Sequence, residues 1–167
     1  MNLLILGMVF SGFLIGSIPF SLLIPRWLKG VDVRQFGDGN PGSANAFKAG
    51  GWACGIFALL LDYLKGCLPV LLANSYLSID KVWIILIAIA PILGHAFSPF
   101  LGFKGGKAIA TTFGVWTGLT LYKAPLVLGG FCAFFLYLLK SSACFKASRQ
   151  SFKVFTSKFK SALIKGR

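Results

Sequence analysis

Apolar residues fall into long blocks separated by short polar segments rich in glycine. The first block, Leu3 to Ile24, is a nearly continuous apolar run of 22 residues. About 20 residues of helix are enough to cross a bilayer. Within it Gly12, Gly16 and Ser17 fall near helical spacing, which suits close helix packing, and Pro19 predicts a kink near the end. A polar segment, Pro25 to Gly50, follows. Further apolar runs cover Trp52 to Ala73, Val82 to Phe97, Ala108 to Tyr122 and Ala124 to Leu139. The last two are short for a span and are accommodated by bilayer thinning or by neighbouring residues. The pattern predicts an all-α integral membrane protein with about five transmembrane helices joined by glycine-rich loops.

Composition agrees. The 167-residue chain is 56% hydrophobic and 13% charged, against roughly 25% charged in soluble proteins. Asp32, Asp38, Asp62 and Asp80 are its only acids, and the net charge is +13. A charge of that size would suit nucleic acid, but the basic residues sit between and after the apolar runs. Lipid head groups and phosphorylated substrates are the partners this placement predicts, and nucleic acid is not.

Four basic residues lie in the first polar segment, two precede the fourth apolar run and eight follow Leu139, against Lys81 and Lys123 on the alternate side. The positive-inside rule then places the N-terminus outside, with the glycine loops and C-terminus in the cytoplasm. Residues 1–139 are expected to form the membrane domain and 140–167 a basic tail. In the tail Phe145, Phe152, Phe155, Phe159 and Leu163 recur on one helix face, the pattern of a basic amphipathic helix on a membrane surface. A disordered basic tail is the other reading. The four cysteines lie far apart with no CxxC, so no metal site or disulfide framework is expected.

Two segments carry candidate chemistry. Gly37, Gly39 and Gly42, around Asp38, Asn40 and Pro41, can form a tight concave turn whose amides face an anion. Asn45 and Lys48 add an amide and a cation. The second segment, Lys104-Gly105-Gly106-Lys107, stands immediately before an apolar run whose first amides and dipole would face the same anion. A glycine-rich turn with no ligand is the other reading, and no Walker pattern is present. Asp62 and Lys65 are three apart within an apolar run, so they share a helix face. They form either a helix-end ion pair or a charged pair facing a cleft. His95 alone suits a structural hydrogen bond better than a base.

The wording of these segments is more specific than their spacing. Gly16-Ser17-Ile18-Pro19, Gly39-Asn40-Pro41-Gly42, Leu61-Asp62-Tyr63-Leu64-Lys65-Gly66, Gly94-His95-Ala96-Phe97-Ser98-Pro99-Phe100 and Phe103-Lys104-Gly105-Gly106-Lys107-Ala108 occur in that order, followed by Ala110-Thr111. Over about residues 10 to 120 the chain resembles the bacterial acyl-phosphate:glycerol-3-phosphate acyltransferase family of the PlsY type. The resemblance implies an inner-membrane enzyme of phospholipid synthesis. It would move a fatty acyl group from acyl-phosphate to the 1-hydroxyl of glycerol-3-phosphate, giving lysophosphatidic acid and phosphate without cofactor or metal. It also implies that Gly37, Gly39, Asn40, Gly42, Asn45 and Lys48 lie at the acyl-phosphate. Lys104, Gly105, Gly106 and Lys107 would hold glycerol-3-phosphate. A homo-oligomer is left open.

The chain departs from the family pattern in places. Asp38 stands at the family's usual serine, Ser43-Ala44 replaces Ala-Thr, and Lys48 replaces an arginine and its bidentate fork. The family usually has seven spans, with a later histidine and asparagine that this sequence does not show. The second functional reading is therefore a degenerate relative that acts as a membrane scaffold or a phosphate- or lipid-binding protein.

Overall fold

Pro19 divides the first apolar run into two helices. In the computed structural model, which describes residues 3–77, 79–121, 123–131, 133, 134 and 137, α1 covers Leu3–Ser17 and α2 covers Phe20–Lys29. The apolar stretch read from sequence as one helix to Ile24 is thus broken, and the polar segment expected from Pro25 begins as helix. Helix α2 buries Ser21, Leu22 and Pro25 and exposes Trp27, so it has one inner and one outer face. It ends where Gly30 turns left-handed (φ 68°) and donates to Arg26 O, while the Val31 amide donates to Pro25 O. That is a glycine-terminated helix stop.

Helix α3 spans Ser43–Leu71, α4 Lys81–Ala96 and α5 Ile109–Thr120. Helix α3 starts nine residues ahead of Trp52 and is interrupted at Gly51, whose φ of 77° and ψ of −170° are open to glycine alone. Its first two turns therefore aim separately from the rest. A short π-helical turn, Leu72–Tyr76, follows α3. All regular structure among the described residues is helical. Three stretches are long and apolar enough to cross a membrane, Leu3–Lys29, Ser43–Ser75 and Lys81–Leu101. Helix α5 has 12 residues, about 18 Å at 1.5 Å per residue, which is shorter than a bilayer core. Residues 123–131 are also helical. By contacts the chain divides into units Met1–Pro125 and Leu126–Arg167, and the candidate site lies in the first. The expected amphipathic tail at 140–167 lies outside the described residues.

Lipid tails give apolar helices no hydrophobic reason to associate, so close backbone approach and internal polar bonds must do it. Helix α1 meets α4 through glycines. A Cβ on Gly16 would collide with the Pro91 backbone, and one on Gly94 with Phe13 O. Helix α3 meets α5 in the same way, because a Cβ on Gly114 would collide with Tyr63 O. Gly94→Ala is expected to lower stability by about 1–3 kcal/mol through overpacking. Gly7→Ala, with nothing within 4 Å of its Cβ, should be neutral or better. Thermal unfolding of both variants in detergent checks the contrast.

The break at Pro19 leaves carbonyls without helical partners, and buried side chains take them up. Ser98 Oγ donates to Ser17 O at 2.6 Å, and Lys65 Nζ donates to Ile18 O at 2.6 Å. Ser21 Oγ donates to Pro41 O at 2.7 Å, which ties the glycine loop to α2. The helix ends near the first loop are thereby fixed in place by hydroxyls and one ammonium.

Candidate functional site

The first glycine loop is narrower than its sequence implies. It runs from Gly30 to Gly42, with a short 3-10 turn at Val33–Gln35. Asp32 caps that turn by accepting the Arg34 amide, and its carboxylate also takes the Arg34 guanidinium at 2.6 Å. Those bonds hold the Asp32 carboxyl down to about 2. Gly37 and Gly39 are left-handed (φ 61° and 73°), so the chain reverses around Asp38. A Cβ on Gly37 would collide with Asn45 Oδ1 and lie 2.9 Å from Lys48 Nζ. Only glycine lets both α3 side chains close over the loop. Asn45 Nδ2 then donates to Asp38 Oδ1 at 2.7 Å and to Asn40 O at 3.0 Å.

The second segment folds back on α4. The Gly105 amide donates to Ala96 O (3.0 Å) and the Gly106 amide to His95 O (3.1 Å). These amides are committed to the end of α4. The glycines serve close approach, since a Cβ on Gly106 would sit 2.9 Å from Pro41 O and run into His95 Nε2. The segment is thereby pressed against both α4 and the first loop. Ala108, left-handed at φ 55°, then turns the chain into α5. Lys107 emerges beside Asp38, with Nζ 2.7 Å from Asp38 Oδ2.

Between the two segments lies a cavity of about 170 Å³, reached by the N-termini of both α3 and α5. The first amide bonds of α3 come from Asn45 and Ala46 to Gly42 O, and that of α5 from Thr112 to Ala108 O. Ser43 and Ala44 on one helix, and Ile109 and Ala110 on the other, precede those bonds and line the cavity. Two positive helix ends thus converge on one space. Lys107 stands at the rim, and Asp62 and His95 form the deep wall. Asp62 is 1% and Lys65 3% exposed, with Lys65 Nζ 2.7 Å from Asp62 Oδ1. His95 Nδ1 lies 3.3 Å from Thr111 Oγ1 and 3.8 Å from Asp62 Oδ1. Asp38 itself is ionised, because bonds from Lys107, Asn45 and the Asn40 amide hold its carboxyl well below the usual carboxylate range.

Of the residues singled out by sequence, Asp38, Asn40, Gly42, Asn45 and Lys107 line this cavity. Gly37 and Gly39 shape the loop behind it, and Gly105 and Gly106 dock the second segment. Lys48 reaches Gly37 from outside the lining, and Lys104 is exposed away from it. Sequence reading turned the first amides of the run after Lys107 toward the anion, and Ile109 and Ala110 stand there; it did not assign Ser43 and Ala44, the free end of α3. A second, apolar groove of about 570 Å³ adjoins the cavity, lined by Ile56, Leu59, Leu60, Tyr63 and Phe113, and it shares Ser43, Ile109 and Ala110 with the cavity.

The fold and this site define a multi-pass helical membrane protein with a polar cavity beside an apolar groove. A family model described as glycerol-3-phosphate acyltransferase matches residues 6–157. The chain belongs to the glycerol-3-phosphate acyltransferase family. It is 50% identical over 118 residues to glycerol-3-phosphate acyltransferase 1 of Thermotoga maritima, covering 70% of this chain and 58% of that one. It is 41% identical over 127 residues to the glycerol-3-phosphate acyltransferase of Anaeromyxobacter sp. (strain K), covering 74% and 63%. Among solved structures it is similar to PlsY (YgiH), an integral membrane glycerol 3-phosphate acyltransferase, in its glycerol 3-phosphate form. That match has a TM-score of 0.72 and 38% identity, and it covers 80% of this chain and 66% of that one. The chain therefore spans about three-fifths of the length of these curated relatives.

Proposed function

We propose that this chain transfers a fatty acyl group from an acyl-phosphate to the 1-hydroxyl of glycerol-3-phosphate, forming lysophosphatidic acid and inorganic phosphate. The observation that carries this reading is the convergence of two helix N-termini and Lys107 on a cavity that shares Ser43, Ile109 and Ala110 with an apolar groove. Both reactants carry phosphate, and the transferred group carries a hydrocarbon chain. Helix-end amides and an ammonium suit the first, since anions bind where unsatisfied N–H groups and the helix dipole meet. The Leu59, Leu60 and Phe113 groove suits the second.

In the reaction the glycerol hydroxyl oxygen attacks the acyl carbonyl carbon and the bond from that carbon to the phosphate oxygen breaks. The hydroxyl proton leaves with the phosphate. The chain's part is to orient the two reactants and to stabilise charge that grows on the carbonyl and phosphate oxygens, work suited to preorganised N–H donors. Lys107 would hold the phosphate of glycerol-3-phosphate, and the α3 end with Asn45 would face the acyl-phosphate. Basic residues gather beside the glycine segments, and by the positive-inside rule this end would face the cytoplasm, in a bacterial inner membrane on the proposed reading.

The reading is tested by binding to the purified full chain in lipid nanodiscs. Glycerol-3-phosphate should bind and be displaced by inorganic phosphate, while glycerol should not bind measurably. Equal affinity for glycerol and glycerol-3-phosphate would contradict phosphate recognition.

A further inference from the structure

Asp38 is the feature that the proposed reaction does not use. It lies on the cavity lining, and both its oxygens are occupied. Oδ1 accepts from Asn45 Nδ2 at 2.7 Å and from the Asn40 amide at 3.3 Å, and Oδ2 accepts from Lys107 Nζ at 2.7 Å. A cation, a side-chain amide and a backbone N–H are the donors that phosphoryl oxygens take in charge-assisted hydrogen bonds. Here one carboxylate from the loop takes all three. Asp38 and Lys107 are 69 residues apart in sequence, so their bond also ties the first segment to the second across the mouth of the cavity. Both side chains stay more than half exposed. The contact can therefore open without burying an unpaired charge.

We propose that Asp38 is an internal counter-anion that latches Lys107 and Asn45, and that a phosphate group must displace it to bind. The inference rests on the phosphate reading of the cavity and adds a specificity-determining residue to it. A ligand that is not anionic gains nothing from the exchange and leaves the latch closed. An anionic ligand meets a site that is open for only part of the time, and its apparent affinity falls by the open fraction. A latch closed about nine-tenths of the time weakens apparent binding about tenfold. Opening also breaks the side-chain bond between the two segments at the mouth, so ligand entry and loss of that bond become one event.

The test compares the full chain and its Asp38→Asn variant in nanodiscs, with inorganic phosphate and glycerol-3-phosphate as probes. Asparagine keeps an oxygen for Asn45 and Asn40 but removes the charge that holds Lys107. Both probes should bind the variant about tenfold more tightly, or bind the variant alone. Adding Lys107→Met should erase most of that gain. Asp38→Ser provides a second neutral replacement if Asp38→Asn folds poorly. Wild-type binding that neither neutral variant tightens would overturn the latch alone. Failure of wild type and both variants to bind either probe would overturn the phosphate reading, and the latch with it.

Discussion

Lys107→Ala is expected to lower acyl transfer by about 10- to 100-fold. Hydrogen bonds to charged groups contribute roughly 1.5–3 kcal/mol, and each 1.4 kcal/mol is tenfold. Lys107 is the ammonium on the cavity lining, held there by glycines that dock its segment on α4. The loss should appear mainly in KM for glycerol-3-phosphate, since the lysine is read as holding a phosphate that does not react. Lys104→Ala, three residues away but exposed off the cavity, should change transfer by less than about twofold, as surface substitutions away from such features usually do. Steady-state kinetics on the two variants separate a positioned cation from general basic charge. Equal losses would favour bulk electrostatics over the geometry described.

Lys65→Met is expected to cost about 3–5 kcal/mol of stability, the usual result of removing one partner from a buried pair. Asp62 would lose its counter-ion in a site 1% exposed, and Ile18 O would keep only the Phe20 amide as donor at the helix break. Against a typical total of about 5–15 kcal/mol this is a large fraction. Lower yield and a lower unfolding temperature in detergent are the expected readouts. The double variant Asp62→Asn with Lys65→Met should recover part of the loss, because the uncompensated charge is gone. A double variant no more stable than the single would place the cost in the lost Ile18 bond instead.

These contrasts separate what could be read in the sequence from what could not. Gly12, Gly16 and Ser17 were legible as a packing stripe because membrane helices need small residues where they touch, and α4 lies against them. The kink at Pro19 was legible as well. The separate helix α2 was not, because its apolar residues continue the hydrophobic run past the proline. The site was half legible. Glycine and basic residues marked both segments, and their order marked the family. The partners of the glycine amides depend on which carbonyl approaches within about 3 Å, and linear order does not contain that. That the Gly105 and Gly106 amides bond to the end of α4 was therefore not legible. Asp62 and His95 line the same cavity because α3 and α4 run past it, which sequence spacing left open.

On the proposed reading the two glycine segments and the ends of α3 and α5 form an acyltransferase site. The most direct measurement supplies palmitoyl-phosphate and labelled glycerol-3-phosphate to the purified full chain in nanodiscs and follows labelled lysophosphatidic acid. Time-dependent product that requires the acyl-phosphate and falls in the Lys107→Ala variant is the expected result. A folded chain that binds glycerol-3-phosphate but forms no product would contradict it, and would leave a phosphate-binding membrane scaffold in its place.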